Sequence, residues 1–470
     1  MTVGLAPWAI ALLAVAGFAV ALWRARVFSV VGGLAGEVTS GLAAMFDPAL
    51  DDLAKERAVQ QAGFSLLRRA WAILWRFAVA IGAAAVPIYA AGLLGLASVE
   101  ASMGVLLRLD FIVVVSVAAC LVAWLLTRGR ARESGAGDET LHNLAFASPA
   151  VQRGLARLES RLFARRIAAA EMGAPIFVTS LARGGTTALL NALATVPGTA
   201  SLRYRDMPFV TAPLLWNALS GRRQVARAER AHGDGMEIDL DSAEAFDEVH
   251  WMLGWPEAYR GETIPLWTEA DLERTAALDA AFRSVTALRA PGGRYLSKNN
   301  ANIARLSVLT GMFPGAQIVI PLRGPAAHAA SLLRQHSRFI ERHETDTFGR
   351  KYMADIGHFE FGALHKRLDF TGDFEGLTPD MPDYWLAYWI AAFRHVAGHS
   401  GDAILIDQNR LRAAPNETMQ ALLARLDLHA DRDFSPFFRA TPDDAPTHLF
   451  SDALLAEAEA LYARLAAHSL

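Results

Sequence analysis

The sequence predicts an α/β fold, with a mainly parallel sheet flanked by helices, preceded by an N-terminal region of three transmembrane helices. Three observations predict this arrangement. From Pro175 onward, short β-rich runs alternate with runs of helical periodicity. The first of these β-rich runs turns through a glycine-containing loop directly into a helix. Before residue 130 there are three long apolar runs, in a chain that is 53% hydrophobic overall.

Residues 1–130 form the predicted membrane region. The apolar runs give spans at about 3–23, 77–99 and 105–127, each long enough to cross a bilayer as a helix. The third run reaches that length only if Arg108 and Asp110 lie near the headgroups, where long cations can extend to water. The connection 24–76 is predicted to be a cytoplasmic loop whose amphipathic helix leads into the second span.

Lysine and arginine positions predict the orientation of the spans. The connection 24–76 carries seven such residues, whereas the hairpin between the second and third runs offers only Arg108. Further arginines follow the third run at positions 128, 130 and 132. Because basic residues stay on the cytoplasmic side, we expect a multi-pass inner (plasma) membrane protein with its N-terminus outside and its catalytic part in the cytoplasm.

Residues 131–170 are predicted to form a polar linker followed by an amphipathic helix. Ser148 and Pro149 have the pattern of a helix start, a cap residue followed by proline. The helix then has an apolar stripe, and an almost opposite stripe of arginines recurs every four residues. Two interpretations are open: an ordinary solvated face, which we favour, or a basic stripe resting on anionic headgroups. The two stripes are Val151, Leu155, Leu158 and Leu162, and Arg153, Arg157, Arg161 and Arg165.

Residues 171–470 form the predicted α/β domain. The runs "PIFVT", "AQIVIPL" and "AILID" are short and rich in β-branched residues, and each precedes a run with helical spacing. Strands that alternate with helices favour a parallel sheet covered on both faces. Ligands of such sheets bind at the carboxyl ends of the strands, so the loops after these three runs are the places to look for chemistry.

The loop in "PIFVTSLARGGTTALLNAL" has the composition of a phosphate cradle. Backbone N–H groups at a helix N-terminus attract anions, and glycines let a phosphate approach closely. The Gly-Lys-Ser/Thr ending of a nucleoside triphosphatase loop is missing. A glycine-containing turn with threonine caps is the alternative interpretation. The candidate ligands are Arg183, Gly184, Gly185, Thr186 and Thr187.

A second strand–helix unit, "AQIVIPLRGPAAHAASLLRQH", carries Arg323 at the end of its strand and Ser331 eight residues later. The two side chains can converge if the helix folds back along the strand. They would then form a second anion site on the same edge of the sheet. Two separate anion sites indicate a ligand with two phosphate groups and not a triphosphate chain.

Taken together, these segments resemble those of bacterial sulfotransferases that use 3′-phosphoadenosine 5′-phosphosulfate, a family with a P-loop-like fold. In that family a segment similar to "FVTSLARGGTTALLNAL" binds the 5′-phosphosulfate, and an arginine followed eight residues later by a serine, as in Arg323 and Ser331, binds the 3′-phosphate. "RYLSKNNANIARL" places Lys298 at the matching lysine, and "AILIDQNRLRAAPNETMQALLARLDL" resembles a late strand–helix pattern. The resemblance covers roughly residues 170–430.

The resemblance implies roles for several residues. Arg183 and Lys298 would stabilise the charge that gathers on the leaving phosphate in the transition state. Many relatives have a histidine shortly after this lysine, but here Asn302 lies near that place and cannot accept a proton. The base must therefore come from another segment, and we rank the candidates Glu248, then Asp206, then His250.

The predicted function is transfer of a sulfuryl group to a hydroxyl or amine of a membrane-associated acceptor, such as a lipid, a lipid-linked glycan or a head group. The donor would leave as 3′,5′-adenosine bisphosphate, and no metal is expected. Membrane lipids are the other expected partners, and a net charge of −3 argues against bulk nucleic-acid binding. The alternatives are a nucleotide-binding membrane scaffold without catalysis and a phosphotransferase that uses ATP or GTP.

Overall fold

A computed structural model describes most of the chain as two compact units, Met1–Ala131 and Arg132–Leu470. The described residues are 5–25, 52–108, 111, 115, 136–220, 228–229, 237–238, 242–244, 246–399, 401, 403–438 and 446–470.

The first unit contains three described helices, α1 (Leu5–Arg24), α2 (Asp52–Leu93) and α3 (Val99–Leu106). The apolar side chains of α1 pack on the second half of α2, where Ile10 and Ala14 meet Ile88. The two backbones come close at Gly17, where a Cβ atom would lie 3.0 Å from the carbonyl oxygen of Ala83. The first unit therefore has a small apolar core of its own.

One helix among the described residues is long and apolar enough to cross a membrane, the stretch Ala70–Leu93 of α2. It begins seven residues earlier than the predicted second span and ends at Leu93, where the helix turns towards α3. The apolar part of α1, Ala6–Leu22, is a shorter apolar helix than this stretch of α2. Most of the predicted third span, 105–127, lies outside the described residues. The three-helix transmembrane region and the multi-pass topology are therefore not confirmed.

The helices of the second unit surround its sheet and follow the predicted order of strand and helix. They are α4 (Ala136–Ala145), α5 (Pro149–Leu162), α6 (Ala164–Ala168), α7 (Thr186–Leu193), α8 (Pro213–Ser220), α9 (Glu248–Gly254), α10 (Leu272–Arg289), α11 (Leu306–Met312), α12 (Pro325–Thr345), α13 (Thr347–Asp355), α14 (Pro382–Gly398), α15 (Gln408–Ala413), α16 (Pro415–Arg425) and α17 (Asp452–Ala466).

The described strands form one central sheet and two short ladders. They are β1 (Gly173–Val178), β2 (Thr199–Ala200), β3 (Ala228–Glu229), β4 (Glu237–Ile238), β5 (Thr263–Ile264), β6 (Arg294–Lys298), β7 (Gln317–Leu322), β8 (Arg367–Leu368) and β9 (Ala403–Asp407). The central sheet has the order β2-β6-β1-β7-β9, and every neighbouring pair in it is parallel. The three β-rich runs named from the sequence are β1, β7 and β9, which confirms the predicted parallel α/β fold.

Both faces of the sheet are buried, as a parallel sheet requires. Along β1, Phe177 belongs to the larger core, together with side chains of α10, α12 and α14. Its neighbours Ile176 and Val178 belong to the opposite core, which α7 and α16 cover. The alternation follows from the two-residue period of a strand, so the sheet lies between two layers of helices.

Helix α5 begins as predicted, because the Ser148 side chain caps it by accepting a hydrogen bond from the Val151 N–H at 3.3 Å. Its buried side chains are polar, however: Gln152 and Glu159 face the interior. Glu159 accepts a hydrogen bond at 3.0 Å from the backbone N–H of Leu215, in the first turn of α8. The apolar stripe is consequently exposed, with Leu158 at 44% and Leu162 at 61% of their full surface.

Candidate active site

The predicted site segments all lie at the carboxyl edge of the central sheet. Strand β1 ends at Val178, which pairs with Lys298, the last residue of β6. Strands β7 and β9 end side by side, with Leu322 paired to Asp407. Because all these strands are parallel, the loops that follow them meet at one edge, where ligands of α/β sheets bind.

The loop between β1 and α7 is held in a tight, strained conformation. Arg183 and Gly185 both have positive φ angles, 65° and 91°, and only glycine adopts such angles without cost. A Cβ atom at Gly184 would lie 2.7 Å from the Ser180 hydroxyl. Ser180 in turn donates a hydrogen bond at 3.0 Å to the carbonyl oxygen of Pro321 in β7. The glycines are therefore required by the geometry of the loop.

Helix α7 begins at Thr186 without a side-chain cap, since its N-cap residue is Gly185. The first backbone N–H groups of a helix have no partner within the helix and lie at the positive end of its dipole. The half-buried side chain of Thr187 lies in the same first turn. This end of α7 can accept an anion, as the sequence predicted for residues 183–187.

Arg183, Arg323 and Ser331 come together beside this loop. The Nη1 atom of Arg323 donates a hydrogen bond at 3.1 Å to the carbonyl oxygen of Arg183. The Nε atom of Arg183 donates one at 3.4 Å to the Ser331 hydroxyl on α12. Helix α12 therefore folds back along its strand as predicted, and two guanidinium groups and a hydroxyl lie where a second anionic group could be held.

Lys298 is buried at the end of β6, with its Nζ atom 3.9 Å from a carboxylate oxygen of Glu244. The other oxygen of that carboxylate accepts a hydrogen bond at 2.7 Å from the Tyr204 hydroxyl. A buried ammonium group needs a negative partner to stay charged. Glu244 supplies that partner, so Lys298 can be kept as a cation next to the loop after β6.

Asn300, two residues after Lys298, connects the loop to the neighbouring cleft. Its Oδ1 atom accepts a hydrogen bond at 3.1 Å from the Thr186 hydroxyl, and its Nδ2 atom donates one at 2.9 Å to the carboxylate of Glu360. Asn302, which the sequence placed near the usual histidine, is fully buried and contacts Arg305 and Ser297. Asn300, and not Asn302, is the asparagine that faces the site.

Glu248 is fully engaged in a buried ion pair. Its carboxylate accepts hydrogen bonds from Nη1 and Nη2 of Arg305 at 2.9 and 2.7 Å, from Nδ2 of Asn299 at 2.6 Å, and from the Tyr259 hydroxyl. The Arg305 guanidinium lowers the pKa of Glu248, despite its burial. The upward pKa shift expected of a base is therefore absent, and the four acceptor positions of the carboxylate are occupied.

Asp206 and His250, the other two candidates for the base, are also placed differently from expectation. Both carboxylate oxygens of Asp206 accept from Nη2 of Arg289, at 2.7 and 2.8 Å. Burial raises the pKa of Asp206, although Arg289 opposes that shift. Burial lowers the pKa of His250 to about 4. Neither residue lies among those that line the cleft beside the loop.

The cleft extends from the β1–α7 loop along the larger core. Leu181 and Ala182 form its wall on the loop side, and Asn299 and Asn300 form the wall after β6. The segment 357–360, His365 and Lys366 also line it, together with apolar side chains of other elements. The loop that could hold the anionic donor and a mainly apolar pocket thus share one boundary.

Two further residues support the loop and were not recognised from the sequence. The Nε2 atom of His328 lies 2.8 Å from the carbonyl oxygen of Ala182, and burial lowers the pKa of this histidine to about 3. The neutral ring therefore donates to the loop. Gln408, the first residue after β9, donates to the carbonyl oxygen of Gly184. Its position directly after a parallel strand was the signal that could have identified it.

Across the ranges that the structure describes, no group of three or more histidine, cysteine or carboxylate side chains is arranged to hold a metal ion. The groups that are present can bind two anions, keep a lysine charged next to them, and present a carboxylate to a pocket. That set of groups suits transfer of an anionic group from a nucleotide to a second molecule.

Comparison with known proteins gives the family. The family model described as "Sulfotransferase family" matches residues 175–432, more than half of the chain. No curated protein matches the chain.

Three solved structures are similar at low identity. Sulfotransferase STF1 from Mycobacterium tuberculosis H37Rv is 15% identical with a TM-score of 0.38, over 73% of this chain and 89% of that one. STF9 from Mycobacterium avium is 17% identical with a TM-score of 0.35, over 66% and 80%. A sulfotransferase from Alicyclobacillus acidocaldarius is 17% identical with a TM-score of 0.33, over 64% and 98%. On the strength of the family match, this chain belongs to the sulfotransferase family.

Proposed function

We propose that the chain transfers a sulfuryl group from 3′-phosphoadenosine 5′-phosphosulfate to a hydroxyl or amine of a membrane-associated acceptor. One observation carries this proposal: the uncapped N-terminus of α7 lies beside the cluster of Arg183, Arg323 and Ser331. A ligand with anionic groups at both ends of a nucleoside fits two such sites. A nucleoside triphosphate carries all its charge on one phosphate chain, so it would leave the second anion site empty.

The donor would be held at both ends. Its 5′-phosphosulfate would lie on the N–H groups and hydroxyls of residues 184–187, and its 3′-phosphate on Arg323 and Ser331. Arg183 contacts the second site through its side chain and belongs by sequence to the first. This placement supports a role in linking the two sites, so its loss should affect both the affinity for the donor and the rate of transfer.

The transfer itself would be favoured by charge placement. As the bond between sulfur and the bridging oxygen breaks, negative charge gathers on the 5′-phosphate. The cation at Lys298 and the N–H groups at the start of α7 are fixed before the reaction, so they stabilise that charge without reorganising. The buried contact between Lys298 and Glu244 supports this role, because it holds the ammonium group in one position.

A membrane location is supported by two features. The stretch Ala70–Leu93 has the length and composition of a span. Helix α5 exposes Leu158 and Leu162, and it also exposes Arg157 and Arg161, each about 100° around the helix from the leucine that follows it. An exposed apolar stripe next to arginines is typical of a helix that lies in the headgroup region of an anionic bilayer. An acceptor in that bilayer would then be close to the catalytic unit.

The donor half of the proposal can be tested by ligand stabilisation of the full-length protein in detergent. We expect adenosine 3′,5′-bisphosphate to raise the midpoint of thermal unfolding at micromolar concentrations, and ATP to have little effect. Equal stabilisation by ATP would favour the phosphotransferase alternative. A nucleotide-binding scaffold would bind the bisphosphate and show no transfer, so binding is to be paired with a transfer assay.

A further inference from the structure

We propose that Glu360 is the general base of this sulfotransferase, and that the cleft it faces takes an acceptor whose hydroxyl is carried on an apolar body. This inference rests on the proposed sulfuryl transfer. Glu360 belongs to the segment between α13 and the short 3₁₀ turn Gly362–Leu364, which no motif in the sequence singled out. Its carboxylate lines the cleft directly beside the donor loop.

A chain of hydrogen bonds fixes Glu360 relative to the donor loop. The Thr186 hydroxyl donates to Asn300, and the Asn300 amide donates to Oε1 of Glu360 at 2.9 Å. Thr186 is the first residue of α7, where the sulfuryl end of the donor would lie. One intervening side chain, that of Asn300, therefore holds the carboxylate near the first turn of α7, and a base must come within hydrogen-bond reach of the acceptor proton, directly or through one water.

The segment that carries Glu360 is itself firmly held. The backbone carbonyl oxygen of Glu360 accepts a hydrogen bond from Nδ1 of His365 at 2.7 Å, and Nε2 of His365 contacts the Tyr384 hydroxyl at 2.8 Å. A carbonyl can only accept, so Nδ1 carries the proton and Nε2 accepts from the hydroxyl. Gly362 has a φ of 67°, and a Cβ atom there would lie 2.8 Å from Cβ of Phe339. Such support keeps a catalytic side chain in one place.

Three other titratable groups of the cleft, Glu248, His365 and Lys366, are committed to other contacts, and His358 is the remaining histidine that lines it. All acceptor positions of Glu248 are occupied, as described above. His365 uses both ring nitrogens, and burial lowers its pKa to about 4. The Lys366 ammonium donates to the carbonyl oxygens of Tyr259 and Gly261, at 2.5 and 2.7 Å. Glu360 is half-exposed and accepts one side-chain hydrogen bond, from Asn300, which leaves room on a carboxylate for a proton.

In the proposed step, the acceptor O–H gives its proton to the carboxylate of Glu360 as a lone pair of that oxygen forms the new bond to sulfur. The bond between sulfur and the bridging oxygen of the donor breaks, and its electron pair stays on the 5′-phosphate. The products are a sulfate ester and adenosine 3′,5′-bisphosphate, and Glu360 later releases its proton to solvent. No further reactant is required.

The walls of the cleft define the class of acceptor. Six large apolar or aromatic side chains from several elements line the same cleft as Glu360: Ile264, Leu332, Phe359, Leu368, Trp385 and Tyr388. Such a surface gains free energy by covering an apolar body. An alcohol or phenol with an apolar body, such as a lipid hydroxyl, fits the cleft better than a free carbohydrate.

The test uses full-length protein in nanodiscs made from the total lipids of the source organism, with donor radiolabelled at sulfur. We compare the wild type with Glu360→Gln, which keeps the shape and the contact with Asn300, and with Glu360→Ala in the presence of formate. Glu375→Gln is the matched control, because Glu375 is exposed in the same region. Bisphosphate affinity and unfolding temperature are measured for every variant.

We expect Glu360→Gln to lower turnover about 10²-fold or more, with bisphosphate affinity unchanged. The acid limb of the pH–rate profile should disappear with it, and formate should restore part of the activity of Glu360→Ala. Near-normal turnover with the wild-type pH profile would overturn the assignment of Glu360, and so would a matching loss of bisphosphate affinity. Absence of label transfer by the wild type would instead overturn the proposed function.

Discussion

Replacing Glu248 with glutamine should destabilise the second unit and not only slow its chemistry. The substitution removes the negative partner of Arg305, a guanidinium that is completely buried. The Oε2 atom of Glu248 accepts hydrogen bonds from both Arg305 and Asn299. In the variant an NH₂ group can take its place, and that group cannot accept from either donor. A buried cation is then left without compensation, which is among the costly changes that a fold can suffer.

The size of the effect follows from the surroundings of Arg305. Breaking a buried ion pair from one side costs roughly 3–5 kcal/mol. The guanidinium also lies over the rings of Trp251 and Trp267, at 4.0 and 4.3 Å from their centroids, and keeps those contacts in the variant. We therefore expect the free energy of unfolding to fall by the lower end of this range, about 3 kcal/mol. For a unit of this size, that is a fall of roughly 4 °C in the midpoint of thermal unfolding.

Thermal and urea unfolding at pH 7 measure this change. The pH is chosen because the pKa of Glu248 is lowered in the fold. The stability that Glu248 contributes is therefore fully present above the ordinary pKa of a glutamate, and it is lost as the pH falls through the lowered pKa of the folded state. Glu257→Gln is the control, since Glu257 pairs with Arg274 at the surface, where both side chains are more than one-third exposed. It should leave the midpoint unchanged.

A double variant separates the lost charge from lost packing. Glu248→Met combined with Arg305→Met should recover much of the stability, because replacing a buried pair by apolar side chains is often neutral. Wild-type stability of Glu248→Gln together with a large loss of turnover would refute this reasoning. It would return Glu248 to the role of base that the sequence suggested.

Three further outcomes are expected. Arg323→Ala should weaken bisphosphate binding about 10–100-fold by calorimetry, through loss of a charged hydrogen-bond donor, whereas the exposed Arg334→Ala should not; equal affinities would count against the second anion site. Burial lowers the pKa of His328, so this residue alone should cost the fold about 1 kcal/mol between pH 6.5 and 5.5 in urea titrations. His328→Gln should make the pH dependence shallower by that amount, while His250 and His365 still contribute to it; parallel slopes would contradict this. In the wild type, anionic nanodiscs should slow the hydrogen exchange of α5 about tenfold. Replacing both Leu158 and Leu162 by aspartate should abolish this protection. Equal wild-type exchange rates with and without anionic lipid would exclude the membrane contact.

The segments proposed to form the donor half of the site could be located from the sequence, because local sequence sets their strand, loop and helix. A β-rich run, a glycine loop and a helical run specify a strand–loop–helix wherever the strand pairs. Parallel pairing then brings the loop of residues 183–187 and the end of β7 to one edge. Arg323 and Ser331 belong to one strand–helix unit, and both contact Arg183, the first through its carbonyl oxygen and the second through its side chain.

The acceptor half was not predictable in the same way, because it depends on contacts between distant segments. Nothing near Glu248 in the chain indicates that Arg305 will take its carboxylate. Glu360 follows a helix with no motif around it, and its place in the cleft is set by Asn300 and His365. The sequence shows where the carboxylates are but not which side chains they contact in the fold. Those contacts determine whether a carboxylate has a structural or a catalytic role.

The buried face of helix α5 also depends on a contact that the sequence does not reveal. Helical periodicity predicted the helix and its two stripes, but the buried residues, Gln152 and Glu159, belong to neither stripe. Glu159 is drawn inside by the N–H of Leu215 at the start of α8, and burial raises its pKa to about 7. A buried polar contact thus overrides the usual preference for burying leucine.

The central claim is tested most directly by following both products of a single reaction. Full-length protein in nanodiscs of the source organism's lipids is given donor radiolabelled at sulfur, and label in extracted lipid is measured together with released adenosine 3′,5′-bisphosphate. We expect one bisphosphate for each labelled acceptor, and no label with Lys298→Ala. Bisphosphate binding without any transfer of label by the wild type would contradict it.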